Sequence, residues 1–154
     1  MSRWFQVPEV TVAAFSFMLH LLWEFAQVPL FADMPSLGHW RVIQVCGSAT
    51  VGDAVIALLA FWGVALMARS RRWLLRPSRR QILVFVAIGL AITVGIEWLS
   101  TQVLDRWAYG PDMPVLPGLR VGLSPVLQWL VVPPLVVWFS RRLMAGIVTL
   151  REEM

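Results

Sequence analysis

Four long apolar stretches constrain the fold of this 154-residue chain more than any other feature of its sequence. They run over about residues 10–31, 42–68, 81–104 and 121–139. Because a helix needs about 20 predominantly apolar residues to cross the hydrocarbon core of a bilayer, each stretch is long enough to span a membrane. Short connections join them and little chain is left over. The sequence therefore predicts one all-α transmembrane domain over residues 1–154, an integral membrane four-helix bundle.

Composition supports lipid as the surrounding solvent. The chain is 58% hydrophobic and only 14% charged, whereas soluble domains are about half apolar and about a quarter charged. So few polar side chains cannot cover a soluble globule, and the lipid bilayer is the expected partner of the outer surface. The single cysteine, Cys46, excludes an internal disulfide and a paired-cysteine metal motif.

The arginines predict the orientation of the bundle. Ten of them lie at the two termini and in the loop between the second and third stretches, whereas three lie in the other two loops. The ten are Arg3, Arg69, Arg71, Arg72, Arg76, Arg79, Arg80, Arg141, Arg142 and Arg151, and the three are Arg41, Arg106 and Arg120. The positive-inside rule places the larger group in the cytoplasm. We expect a multi-pass protein of the bacterial inner membrane with both termini inside, in which the arginines set topology and bind no nucleic acid.

Polar residues recur at helical spacing in every stretch, and four of them are ionisable. Residues three, four or seven apart share one face of a helix. The four stripes are Ser16, His20, Glu24 and Gln27; Cys46, Thr50 and Asp53; Thr93, Glu97 and Thr101; Ser124 and Gln128. Ionisable groups in a membrane usually face the bundle interior and often mark functional sites. We expect the stripes to converge.

The depth of these residues predicts a polar cavity in the outer half of the bundle. Glu24 lies roughly 10 Å below the outer end of its span at 1.5 Å rise per residue, and Glu97 and Gln128 are about as deep. His20 and Asp53 lie deeper, at about 16 Å. The cavity should open toward the periplasm or the outer leaflet, beneath the proline-rich loop 105–120.

Three acids and a histidine at close range cannot all stay charged in a low dielectric. One acid must be protonated, or a cation must compensate: Arg106 or Arg120 from the loop, His20 as imidazolium, or a bound metal. His20, Glu24, Asp53 and Glu97 form a plausible set of ligands for a divalent metal. The alternative is an interhelical hydrogen-bond cluster that only stabilises the bundle.

Aromatic residues and prolines leave further alternatives open. Loop 105–120 either folds over the bundle as a lid or rests as a plain connector among the headgroups. Pro133 and Pro134 should kink or split the fourth helix, and 143–150 should continue that helix or form an interfacial turn. The tryptophans form membrane belts or, on the outer side, line a pocket. Trp4, Trp73 and Trp138 fall near the inner boundary, and Trp23, Trp40, Trp98, Trp107 and Trp129 toward the outer one.

Several motifs carry a resemblance to known membrane proteins. WEFAQVPLF at 23–31, CGSATVGDA at 46–54, Glu97-Trp98 and the segment 107–134 resemble a group of small bacterial four-helix membrane proteins. This resemblance implies the fold and the membrane location and no activity. Glu97, Trp107, Tyr109 and the following loop are also similar to carotenoid-modifying membrane cyclases and hydratases, in which acidic residues protonate a polyene double bond. The double-glutamate motif of those cyclases is absent here.

Two main functions follow from these residues. The first is an enzyme or binding protein for an isoprenoid or another lipid, with Glu97 and Glu24 as the acid/base pair and Asp53 and His20 orienting them. Its substrate would contact Trp23, Gln27, Trp98, Trp107, Tyr109 and Gln128. The second is a small proton- or metal-coupled transporter, which would need an oligomer. The third possible function is structural: the chain would be a subunit whose polar stripes contact a partner membrane protein.

Overall fold

The computed structural model describes residues 7–152, with side chains over 7–146. It contains helices α1 (Pro8–Gln27), α2 (His39–Ala68), α3 (Arg79–Gln102) and α4 (Leu123–Glu152). Short 3-10 turns occupy Val28–Leu30, Met34–Ser36 and Arg71–Leu75 in the connections. The predicted all-α four-helix bundle is therefore confirmed.

All four helices are long and apolar enough to cross a membrane. The segments that meet this condition are Pro8–Leu30, His39–Ala68, Arg79–Gln102 and Leu123–Gly146. Large apolar side chains such as Leu66 and Leu22 point outward, with 77% and 69% of their surface exposed. In water such surfaces would aggregate, whereas lipid solvates them. The chain is a multi-pass membrane protein.

Local sequence explains where the helices begin and end, two to three residues from the predicted boundaries in most cases. Pro29 cannot donate a backbone hydrogen bond, and α1 gives way to a 3-10 turn at Val28. At α3 the Ser78 hydroxyl accepts from the Gln81 N–H (3.2 Å) and the Gln81 side chain accepts from the Ser78 N–H (2.8 Å). This capping box satisfies donors that the first turn leaves free and starts α3 at Arg79.

The two prolines of the fourth stretch do not split its helix. Pro133 and Pro134 both lie inside α4, which runs without interruption from Leu123 to Glu152. Of the two outcomes expected from the sequence, a division into two helices is therefore wrong. Segment 143–150 continues α4 and forms no separate turn.

The helices pack in cyclic order, each against the two beside it: α1 with α2, α2 with α3, α3 with α4 and α4 with α1. The helices alternate in direction along the chain. One end of the bundle therefore contains the start of α1, the end of α2, the start of α3 and the end of α4. We call this the arginine-rich end, since it carries Arg69, Arg71, Arg72, Arg76, Arg79, Arg80, Arg141 and Arg142. The opposite end, with residues 28–38 and 103–122, is the loop end. Arg3, Trp4 and the side chain of Arg151 lie outside the described residues.

An apolar core fills the half of the bundle nearer the arginine-rich end. Trp73 lies between Phe61 and Phe85, with ring centroids 5.6 and 5.9 Å away. Val64, Leu74 and Val136 are completely buried around them. The polar residues of the four stripes that bond to one another lie in the other half.

Two tryptophans contradict the interpretation that these residues form interfacial belts. Trp73 is 4% exposed and Trp129 is completely buried, so both belong to the core. Trp40, Trp62, Trp98 and Trp138 are exposed, as belt residues would be. Hydropathy cannot separate the two groups, because an indole at the same depth can face either lipid or a neighbouring helix.

Candidate functional site

Gln128 on α4 is the point where the polar stripes of three helices meet. Its Nε2 lies 2.8 Å from Nδ1 of His20 on α1 and 3.3 Å from Oδ2 of Asp53 on α2. The same nitrogen lies 3.2 Å from Oε1 of Glu24, one turn along α1. His20 is completely buried and Asp53 nearly so. We call His20, Glu24, Asp53 and Gln128 the polar cluster.

A chain of hydrogen bonds connects the polar cluster to the loop end. Gln27 donates from Nε2 to Glu24 Oε1 at 2.8 Å and accepts at Oε1 from the Ser124 hydroxyl at 2.8 Å. The Trp23 indole N–H donates to that hydroxyl at 3.1 Å. This chain joins α1 to α4 and holds the Glu24 carboxyl toward the bundle interior.

Trp129 supplies a second donor to Asp53, although the predicted site residues do not include it. Its indole N–H donates to Asp53 Oδ1 at 3.3 Å, and its ring centroid lies 5.1 Å from that of His20. From the sequence it was one of five outer tryptophans that form a belt or line a pocket, and its position beside Gln128 did not predict this contact. Adjacent residues on a helix diverge by about 100°, so the polar stripe pointed away from it.

The number of hydrogens in the polar cluster does not match the number of acceptors. An amide –NH₂ has two hydrogens, yet Gln128 Nε2 faces three groups that can accept one. His20 Nδ1 also lies 3.4 Å from Asp53 Oδ2. If this nitrogen carries a proton, the N–H can donate to the Asp53 carboxylate. His20 Nε2 is buried without a hydrogen-bond partner among the described residues. One further proton would supply the hydrogen that these acceptors lack. Either His20 or one of the two carboxyls can hold it.

Glu97 on α3 is held by the loop between α3 and α4 and makes no hydrogen bond to the polar cluster within residues 7–146. The Tyr109 hydroxyl donates to its Oε2 at 2.5 Å, and the Trp107 indole N–H lies 3.4 Å from the same oxygen. The three predicted acids therefore belong to two separately bonded groups: Glu24 and Asp53 in the polar cluster, and Glu97 with the loop.

The loop folds back over the end of the bundle, as the lid alternative predicts. Gly110 N–H donates to the Leu30 carbonyl at 2.7 Å, and Ala32 N–H to the Ala108 carbonyl at 3.0 Å. A Cβ on Gly110 would lie 3.2 Å from the Leu30 oxygen, so the lack of a side chain permits this approach. Met113 is buried beneath the loop. These contacts fix Tyr109 above Glu97.

The expected compensating arginines do not reach the acids. Arg106 is exposed and lies over the Trp107 ring, 5.8 Å from its centroid. In the described part of the chain the ion pairs are Arg71–Glu9 and His20–Asp53, so neither Arg106 nor Arg120 balances Glu24, Asp53 or Glu97. Within the described residues, no group of three or more His, Cys, Asp or Glu side chains could hold a metal ion. The geometry therefore gives the metal hypothesis no support.

Other predicted features lie away from the site. Trp98 is 47% exposed on α3, and its side chain makes no hydrogen bond or ring contact with another described residue. Cys46 is buried, with Sγ 3.8 Å from the Glu24 backbone oxygen. Two cavities, of about 770 and 610 Å³, lie at the arginine-rich end and along the outer faces of α1 and α2. Neither is lined by Glu24, Asp53 or Glu97, so they do not provide the open polar chamber that the sequence predicts.

Comparison of the chain with protein-family models, curated proteins and solved structures found no match. The resemblances to small four-helix membrane proteins and to carotenoid-modifying enzymes therefore stay predictions. A function for this chain has to be inferred from the geometry of its site.

The contact between Tyr109 and Glu97 can be tested by titration, because Tyr109 is the only tyrosine of the chain. Burial raises the pKa of Tyr109 above its ordinary value of about 10, and the hydrogen bond to Glu97 raises it further. A raised pKa in the folded state means that the contact stabilises the fold below pH 10 and is lost as the pH rises through the higher value.

We expect the tyrosinate absorbance of the folded protein to appear only above about pH 10 and to appear at lower pH in Glu97→Gln. Asp112→Asn, an exposed change in the same loop, should leave the titration midpoint unaltered. An equal midpoint in the wild type and Glu97→Gln would show that the carboxyl does not face the phenol.

Proposed function

We propose that this protein is a membrane-embedded enzyme that adds protons to, and removes them from, an isoprenoid or similar lipid. The observation that carries the proposal is that Glu24 and Glu97, two half-buried carboxyls on different helices, have different hydrogen-bond donors. Glu24 is held by two amides, and Glu97 by a phenol and an indole. Acid/base catalysis needs such a pair, because unlike surroundings let one group give a proton while the other takes one.

The polar cluster is suited to store the transferred proton. Its hydrogens are too few for its acceptors, and His20 Nε2 has no partner among the described residues. His20 Nδ1 lies 3.4 Å from Asp53 Oδ2, so a proton can pass between these two groups. Asp53 and His20 would act as positioning residues for Glu24, and Tyr109 for Glu97.

An apolar substrate fits the surroundings of these acids. Glu24 and Glu97 are half-buried, so part of each side chain reaches the surface of the bundle. That surface carries exposed Leu22, Phe25 and Ile96, which lie among lipid chains in a membrane-spanning helix. A molecule that arrives through the bilayer can therefore reach these half-buried side chains from the lipid-facing surface. Adding a proton at one carbon of a double bond and removing one from a neighbouring position moves the bond without oxidation or reduction.

The transport alternative is less well supported. The apolar core around Phe61, Trp73 and Phe85 fills the half of the bundle nearer the arginine-rich end. A transported proton or ion would have to cross this core in a single chain. A stable oligomer in detergent solution would favour that alternative.

We also propose the bacterial inner membrane as the location, with both termini in the cytoplasm. The clustering of eight described arginines at one end supports this orientation. Cysteine labelling would test it: a cysteine introduced in the loop 105–120 should react with an impermeant reagent added to intact cells, and one introduced near Arg76 should not.

The proposed reaction can be tested with a mixture of candidate substrates. We would incubate the purified protein in D₂O with a total bacterial lipid extract and follow deuterium incorporation by mass spectrometry. Wild-type protein should transfer deuterium to carbon in at least one isoprenoid or lipid component. Glu97→Gln and Glu24→Gln keep the shape of the side chain and one acceptor oxygen but remove the ionisable carboxyl group, and each should slow incorporation by about 100-fold.

Asp112→Asn makes the same carboxyl-to-amide change at an exposed loop position and should retain the wild-type rate. No incorporation by the wild type, or equal incorporation by Glu97→Gln, Glu24→Gln and the wild type, would sink the proposal.

A further inference from the structure

A cavity of about 770 Å³ opens at the arginine-rich end, remote from the acids. It lies between the start of α1, the last turns of α2 and the 3-10 turn that comes next in the chain. Its walls are Val7 and Pro8, then Trp62, Ala65 and Leu66, and then the segment 69–72. Nothing in the proposed acid/base reaction uses it.

The cavity carries an excess of positive charge. Arg71 donates from Nη2 to Glu9 Oε2 at 3.2 Å, and its Nε lies 2.9 Å from Glu9 Oε1 in the same ion pair. Its guanidinium carbon lies 5.4 Å from the centre of the Trp62 ring. The guanidinium groups of Arg69 and Arg72 make no hydrogen bond or ion pair within residues 7–146. Among the described side chains, these two positive charges at the rim therefore have no counter-charge.

The backbone at Arg69 brings these arginines to one place. Arg69 ends α2 with φ 50°, in the left-handed region that glycine occupies at less cost. Its N–H donates to the carbonyls of Ala65 and Leu66, which closes the last turn. The chain reverses there and enters the 3-10 turn, so that 69, 71 and 72 all border the cavity.

The other side of the cavity is apolar and faces outward. Leu66 is 77% exposed and Trp62 is 41% exposed, both on α2, a membrane-spanning helix. A ligand that fills the cavity and extends along α2 therefore meets arginines at one end and a hydrocarbon surface at the other. An anionic lipid has this chemistry, since its phosphate accepts several guanidinium hydrogen bonds and its chains lie along an apolar helix.

We propose that this cavity binds the phosphate headgroup of an anionic membrane lipid. Arg69 and Arg72 hold the phosphate, Arg71 is held at the cavity rim by Glu9 and Trp62, and the acyl chains follow Leu66 and Trp62. Basic pockets beside membrane-spanning helices are suited to this type of recognition. Free inorganic phosphate shares the headgroup chemistry but would gain nothing from the apolar wall.

The test compares lipid binding by two matched double variants. Native mass spectrometry of the detergent-solubilised protein would be recorded across concentrations of phosphatidylglycerol and of phosphatidylcholine. Arg69→Gln/Arg72→Gln removes the two unpaired charges of the cavity. Arg79→Gln/Arg80→Gln removes two exposed charges at the same end that do not line it. Both variants should unfold at the wild-type temperature.

We expect wild-type protein to retain one phosphatidylglycerol in preference to phosphatidylcholine. The Arg69→Gln/Arg72→Gln variant should bind it about 30-fold more weakly, which corresponds to about 1 kcal/mol per arginine, and the control should bind it nearly as well as the wild type. Excess inorganic phosphate should not displace the lipid. Equal weakening in the two variants, equal retention of the two lipids, or displacement by inorganic phosphate would overturn the proposal. None of these outcomes depends on the acid/base reaction.

Discussion

Replacing Gln128 with leucine is expected to destabilise the bundle by about 2–5 kcal/mol. The substitution keeps most of the side-chain volume but removes the –NH₂ group that faces His20, Glu24 and Asp53. Interhelical hydrogen bonds in membrane proteins contribute about 0.6–1.7 kcal/mol each, and the two amide hydrogens that serve these three contacts are both lost. Their former partners stay buried with fewer donors, which adds a desolvation cost.

The measurement is unfolding in detergent, followed by tryptophan fluorescence or circular dichroism. Gln44→Leu is the matched control, because Gln44 lies on the exposed face of α2 and a leucine there is solvated by lipid. It should be neutral or slightly stabilising. If Gln128→Leu were as stable as Gln44→Leu, Gln128 could not be the common donor of the polar cluster.

Alanine in place of Gly89 is expected to destabilise the protein by about 3 kcal/mol. A Cβ built on Gly89 of α3 would lie 1.9 Å from one ring carbon of Trp129 and 2.2 Å from another. Trp129 is completely buried, so its ring has no free space to move into. A displaced indole would also lose its hydrogen bond to Asp53, now 3.3 Å long. The damage should therefore extend from packing to the polar cluster.

Gly95→Ala is the control on the same helix. No atom of a neighbouring side chain or helix lies within 4 Å of a Cβ built at Gly95, and alanine has the higher helix propensity. We expect Gly95→Ala to unfold at or slightly above the wild-type temperature, and Gly89→Ala well below it. Equal stability of the two variants would contradict the direct packing of α3 on Trp129.

The sequence predicted which residues point into the bundle better than it predicted how they meet. His20, Asp53 and Gln128 follow the helical period, which is a property of each segment alone, and the structure brings them into contact. Glu97 follows the same rule but bonds to Tyr109 and Trp107 of the loop. The period of a helix carries no information about the path of a loop, so that pairing could not be derived.

The sequence alone is enough to predict the class of the protein: four membrane-spanning helices, arginines gathered at one end, and acids at depths where lipid cannot solvate them. Hydropathy, charge and helical spacing suffice for this because each acts over a few turns of one segment. Helix packing establishes three further features: Gln128 is shared by three acceptors, Trp129 is buried in the core, and Arg69, Arg71 and Arg72 border one cavity. These arrangements depend on the rotation and register of whole helices relative to one another, which packing across the bundle sets.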